Sequence, residues 1–126
     1  MLYKNILLID DDSEDADIFK EAVHSVNSEI VCHAVTNPLR AFEELLVTQN
    51  LPDVVFVDFN MPALNGAQLI QKMKAENRLQ NITFVLMSSH SEDVMNVLTE
   101  KFDKVQYIIK PSSFHELIEL LDTLLR

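Results

Sequence analysis

Short β-rich apolar runs, each stopped by a charged or hydroxyl residue, constrain the fold of this chain more than any other feature. ILLI at 6–9 ends in Asp10-Asp11-Asp12, VVFV at 54–57 in Asp58, ITFVLM at 82–87 in Ser88-Ser89, and VQYII at 105–109 in Lys110-Pro111. Runs of four to six residues without a polar face suit strands buried on both sides rather than helices. Ile30 to Val35 reads as a further strand.

Between these runs the apolar spacing changes from continuous to helical. Ala16, Phe19, Val23 and Val26 recur at intervals of three and four behind Ser13, a candidate N-cap, with Glu14 and Asp15 where the helix dipole favours acids. Asn37-Pro38 opens a second helix to about Val47, with Leu39, Phe42, Leu45 and Leu46 on its inner stripe. Met61-Pro62 and Asn65-Gly66 turn the chain before a third helix carrying Leu69, Ile70 and Met73, which the polar segment 75–81 ends. A shorter helix is expected over 91–102. Ser113 and Glu116, at capping-box spacing, open a last one that turns Phe114, Leu117, Ile118, Leu121 and Leu124 inward.

Five strands alternating with five helices imply a parallel sheet covered on both faces by helices. All strand C-termini then share one edge, where open sheets of this kind bind ligands. Asp10, Asp11, Asp58, Ser88 and Lys110 are the residues that end those strands. Each alone has an ordinary structural explanation as a turn, cap or surface charge. Their coincidence at four strand ends argues for a site.

Composition limits what that site serves. The 126 residues, 48% of them hydrophobic, fit one domain with a substantial core. A formal charge of −10, with no run of Lys or Arg, opposes a nucleic-acid-binding surface. Cys32 is the sole cysteine, so no internal disulfide is expected, and neither a signal sequence nor a membrane span is legible; a cytoplasmic setting follows. Two carboxylates about 4 Å apart repel by roughly 4 kcal/mol at an effective dielectric near 20, so a cluster of three calls for a cation. Oxygen ligands without a thiolate or a placed histidine select Mg2+, or Mn2+, over zinc or copper. A cation, a lysine and a hydroxyl around one carboxylate suit phosphoryl transfer to that carboxylate, for which Asp58 on the central strand is the expected nucleophile.

The segments IDDD at 9–12, VDFNMPALNG at 57–66, VLMSS at 85–89 and YIIKP at 107–111 resemble, in order and spacing, the motifs of response-regulator receiver domains. The resemblance spans essentially the whole chain. It implies a doubly wound, flavodoxin-like (βα)5 three-layer sandwich with strand order 2-1-3-4-5, residues 1–126 forming a single receiver domain without an effector domain. By position, Asp58 matches the phosphoacceptor, which receives its phosphoryl group from a partner's phosphohistidine. Asp10 and Asp11 match the Mg2+-binding acid pair, Asn60 the position whose backbone carbonyl joins it, Ser88 the switch hydroxyl, Lys110 the lysine that pairs with the acyl phosphate, and Tyr107 the switch aromatic. His90 and Asn60 occupy positions that tune dephosphorylation.

The partners so implied are a sensor histidine kinase or a histidine phosphotransfer protein, with a further protein reading the face of the fourth helix, fifth strand and last helix. A monomer or weak phosphorylation-linked dimer is expected. Three other functions compete. They are a phosphorylation-independent scaffold, a Mg2+-dependent phosphohydrolase, which Asn60 in place of a second acid disfavours, and a flavin-binding domain, which the acids after the first strand disfavour.

Overall fold

The computed structural model describes residues 3–62, 64–89 and 105–125. Five parallel strands, β1 (Asn5–Ile9), β2 (Val31–Val35), β3 (Val54–Asp58), β4 (Thr83–Ser88) and β5 (Val105–Ile109), form one sheet in the order β2-β1-β3-β4-β5. This is the expected doubly wound order. The helices are α1 (Ser13–Val26), α2 (Pro38–Val47), α3 (Gly66–Lys74) and the C-terminal α4 (Phe114–Leu124). The helix expected over 91–102 lies outside the described residues, as does His90.

Strand alternation divides the core into two layers. Ile6, Leu8, Val54, Phe56, Val85, Met87 and Ile108 point to one face, where Phe19 and Val23 of α1 and Leu121 of α4 cover them. Phe19 meets Phe56 edge-on, ring centres 5.0 Å apart, a favourable aromatic geometry. Leu7, Ile9, Val55, Val57, Phe84 and Leu86 point to the other face, under Leu45 of α2 and Leu69, Ile70 and Met73 of α3. Every residue of β3 is buried, as a central strand covered on both sides requires.

Several local expectations are corrected. Asp12, not Ser13, caps α1: its carboxylate accepts from the N–H groups of Glu14 (2.9 Å) and Asp15 (3.2 Å), two donors that no helical carbonyl can satisfy. Leu39 and Phe114 are exposed, at 49% and 43%. Each sits in the first turn of its helix, where the chain has not yet passed over the sheet; Ala41 of α2 and Leu121 of α4 take the buried positions instead. Ser113 Oγ accepts from the Glu116 N–H (3.1 Å), but the Glu116 carboxylate turns to Ser112 rather than closing a box. The closed capping box is that of Asn65 and Gln68, at the head of α3. In the polar segment after α3, Asn77–Leu79 forms a 3-10 turn that buries Leu79 completely.

Asp53, directly before β3, ties the opposite end of the sheet together. Its carboxylate accepts from the N–H groups of Lys4 (2.8 Å) and Asn5 (2.9 Å), while its own N–H donates to the Asn5 carbonyl.

Candidate functional site

Register determines which strand-terminal residues meet. Ile9 pairs with Val57 across β1 and β3, so the next residues, Asp10 and Asp58, leave the sheet side by side. Asp58 in turn is level with Met87, and Ser88 with Ile109, which brings Lys110 to the same edge. Side-chain alternation adds a second selection. Asp10, Asp58 and Lys110 continue the face covered by α1 and α4, whereas Ser88 continues the opposite one.

The loop after β3 is fixed by backbone bonds. The Phe59 N–H donates to the Met87 carbonyl (2.8 Å), and the N–H groups of Met61 (3.1 Å) and Gly66 (3.0 Å) converge on the Phe59 carbonyl. Gly66 opens α3 against this loop: a Cβ there would lie 2.6 Å from the Asp58 carbonyl oxygen, 2.9 Å from Phe59 Cα and 2.7 Å from Leu86 Cδ1. The residue is thus required for close approach of α3 to β3. Across the edge, the Lys110 N–H donates to the Ser88 carbonyl (2.8 Å), which holds the start of the β5–α4 connection against β4.

Asp10, Asp58 and Ser88 are the buried polar residues among those described. The carboxylate oxygens of Asp10, Asp11 and Asp58 lie within 4.8 Å of one another. Lys110 Nζ sits 3.0 Å from Asp58 Oδ1, 3.8 Å from Asp10 Oδ2 and 3.9 Å from Asp15 Oδ2. Burial, the largest influence on Asp10, raises its pKa from 3.8 to about 6; the hydrogen bond from the Asp12 N–H (3.0 Å) opposes this and the Asp58 charge adds to it. For Lys110, burial alone would lower the pKa. The hydrogen bond and charge of Asp58, with the charges of Asp10 and Asp15, outweigh it, and the net direction is upward, so the group is a firm ammonium.

One lysine thus faces an acid cluster with a surplus of negative charge. Hard oxygen donors this close, with Asp11 on the exposed side, fit an octahedral divalent cation such as Mg2+ that retains several waters. Asp11, Asp15, Asp58, Asn60 and Lys110 line an open depression over the cluster. Beside it, Ile18, Phe19, Met87, Phe114 and Leu117 line a more apolar cavity of about 320 Å³.

Of the residues singled out in sequence, Asp10, Asp11, Asp58 and Lys110 come together. Asn60 borders the depression, its N–H donating to Asp58 Oδ1 (3.4 Å). Ser88 is fully buried at the adjacent strand end, and Tyr107 is half-buried two residues before the end of β5, packed toward the α3 face. Asp12 belongs to the helix cap instead of the cluster. Asp15, which its position in the sequence ties only to the helix dipole, joins the site through Lys110. The signal for it is the brevity of the β1–α1 connection, three residues, which returns the first turn of α1 over the strand ends.

Residues 6–122 match the model of the response regulator receiver domain. The chain is similar to the chemotaxis protein CheY1 of Helicobacter pylori (strain J99), 28% identical over 120 residues that span 95% of each chain. It is also similar to the probable C4-dicarboxylate response regulator DctR of Priestia megaterium, 28% identical over 117 residues, which are 93% of this chain and 50% of that protein. Among solved structures, that of the phosphorylated cyanobacterial phytochrome response regulator RcpA superposes with a TM-score of 0.82, covering 97% of this chain and 91% of that one. At 21% identity this last likeness speaks for the fold alone. No helix among the described residues is long and apolar enough to cross a membrane. With its family model covering nearly its full length, the chain belongs to the response regulator receiver domain family and is a two-component signalling domain.

Proposed function

We propose that Asp58 accepts a phosphoryl group from a phosphohistidine, and that residues 1–126 act as one receiver unit whose phosphorylation controls a protein partner. The observation that carries this reading is the 3.0 Å contact of Lys110 Nζ with Asp58 Oδ1 inside a cluster of carboxylates. In the transfer, an Asp58 carboxylate oxygen bonds to phosphorus as the donor's P–N bond breaks. The bonding pair stays on the imidazole nitrogen, which takes up a proton from solvent. Lys110 holds the phosphoryl oxygens as a point charge. Asp10, Asp11, Asp58 and the backbone carbonyl of Asn60 would hold Mg2+ or Mn2+, which when bound supplies positive charge that offsets the phosphoryl oxygens.

The Ser88 hydroxyl, at the next strand end, is the group we assign to hydrogen-bond the phosphoryl oxygens in the activated arrangement, with Tyr107 on the adjoining strand following it. A phosphoryl group that bonds better in one arrangement shifts the population toward it. The donor is a sensor histidine kinase or a histidine phosphotransfer protein, which places the protein in the cytoplasm. Slow loss of the phosphoryl group to water ends the signal. Asn60, where a phosphohydrolase would need a second acid, argues against turnover of small phosphate esters.

Intact-mass spectrometry after incubation with acetyl phosphate tests the reading. A single phosphoryl adduct that needs Mg2+ and is lost in Asp58→Asn is expected. No adduct with acetyl phosphate or a second small donor, in a protein that binds Mg2+, would favour a scaffold that works without phosphorylation.

A further inference from the structure

Resting on the phosphoacceptor reading, we infer that Asp15 is a positioning residue that competes with the phosphoryl group for the Lys110 ammonium and so weakens the hold of the site on that group. Lys110 Nζ lies 3.0 Å from Asp58 Oδ1, 3.8 Å from Asp10 Oδ2 and 3.9 Å from Asp15 Oδ2. The acids differ in what else they serve. Asp58 and Asp10 belong, with Asp11, to the oxygen cluster that fits a cation, so their charge is shared with any ion there. Asp15 stands outside that cluster on the first turn of α1, and its charge remains directed at Lys110 when the cluster is neutralised.

The helix holds Asp15 in place, because its N–H is bonded to the Asp12 carboxylate at 3.2 Å. Its side chain is 54% exposed and that of Lys110 30% exposed, so the ammonium can lean outward along the Asp15 side without entering the core. Among the described residues lining the depression and the adjoining cavity, Lys110 is the one cation. Among the described residues, an anion on Asp58 therefore has no other side-chain ammonium to use. Whatever fraction of Lys110 is held by Asp15 is withheld from the phosphoryl oxygens.

The test is a 19F NMR titration of beryllium trifluoride, a phosphoryl mimic, into the whole chain with saturating Mg2+. An ion pair exposed to this degree is worth at most about 1 kcal/mol, so Asp15→Asn is expected to tighten binding about two- to fivefold. Asp15→Glu, which keeps the charge, should return the affinity to the wild-type value. The gain should shrink in about 0.5 M salt, where screening is short-ranged. Glu14→Gln removes a charge that borders the same depression without an ion pair to Lys110, and it should change affinity by less than half as much. Unchanged affinity in Asp15→Asn, or an equal gain in Glu14→Gln, overturns the competition while leaving the phosphoacceptor reading intact. Wild-type protein that binds Mg2+ but no beryllium trifluoride removes both.

Discussion

Replacing Gly66 by Ala probes the contact that positions Asp58. The added Cβ meets two backbone atoms, the Asp58 carbonyl oxygen at 2.6 Å and Phe59 Cα at 2.9 Å, and a core side-chain atom, Leu86 Cδ1 at 2.7 Å. Ordinary van der Waals contact begins near 3.4 Å, so relief needs displacements of roughly 0.5–0.8 Å. Leu86 is 1% exposed and cannot swing into solvent, so the head of α3 or the end of β3 must move. Overpacking of a filled core costs about 1–3 kcal/mol, and backbone clashes belong at the upper end. Alanine returns at most about 1 kcal/mol through helix propensity. The net loss is about 2 kcal/mol, which at about 2 kcal/mol/M lowers the urea midpoint by about 1 M. Because the displaced carbonyl belongs to Asp58 itself, Mg2+ affinity, read by calorimetry, should fall several-fold. Ala67→Gly, one position along the same helix, loses helix propensity and a partly buried methyl without introducing a clash, and should leave Mg2+ affinity unchanged. A Gly66→Ala protein with wild-type midpoint, slope and Mg2+ affinity would refute the close-approach argument.

Other expectations follow from named contacts. Asp53→Ala removes the acceptor for two strand-end N–H groups and should cost about 1–2 kcal/mol in urea unfolding, with faster exchange of the Asn5 amide; a loss under about 0.3 kcal/mol would mean that water replaces the carboxylate without penalty. Asp10 has a folded pKa of about 6 against 3.8 unfolded, so the folded state binds the proton more tightly and stability falls as pH rises through that window. In chelator, the protein should gain about 1 kcal/mol between pH 7 and pH 5 from this group; Asp10→Asn should abolish that gain, and an identical pH profile in the variant would refute the assignment. The Cys32 thiol is 6% exposed and pushed from 9.0 up to about 11 by burial, against the opposing charge of Lys20. At pH 8 it should react with iodoacetamide at least about 100-fold more slowly in the folded protein than in urea, and comparable rates would contradict its burial.

Strands and helices were legible where the cause is local. The run Val54–Val57 is apolar without alternation, and burial on both faces is the one environment that suits it; Val105–Ile109 emerged with its boundaries as expected. Errors arose where a choice among neighbours depends on three dimensions. Ser13 and Asp12 are both competent caps, and it is Asp12 whose backbone is extended (φ −97°, ψ 111°) while Ser13 is already helical. Leu39 and Phe114 continue an apolar stripe on paper, yet each precedes the point where its helix reaches the sheet. Leu79 sits in a polar segment whose periodicity is too short to register, and a 3-10 turn buries it.

For the site the division is similar. The sequence by itself determined that carboxylates, a hydroxyl and a lysine end buried strands, because a both-sides-buried run has to stop where the chain enters water. Only the tertiary structure decided which of them meet. Strand order sets β1 beside β3, register levels Asp10 with Asp58, and alternation turns Lys110 to their face while Ser88 continues the other. The short β1–α1 connection then adds Asp15 and withdraws Asp12 into a cap. Distances across strands separated by tens of residues in the chain depend on the packing of the whole sheet, which no local pattern encodes.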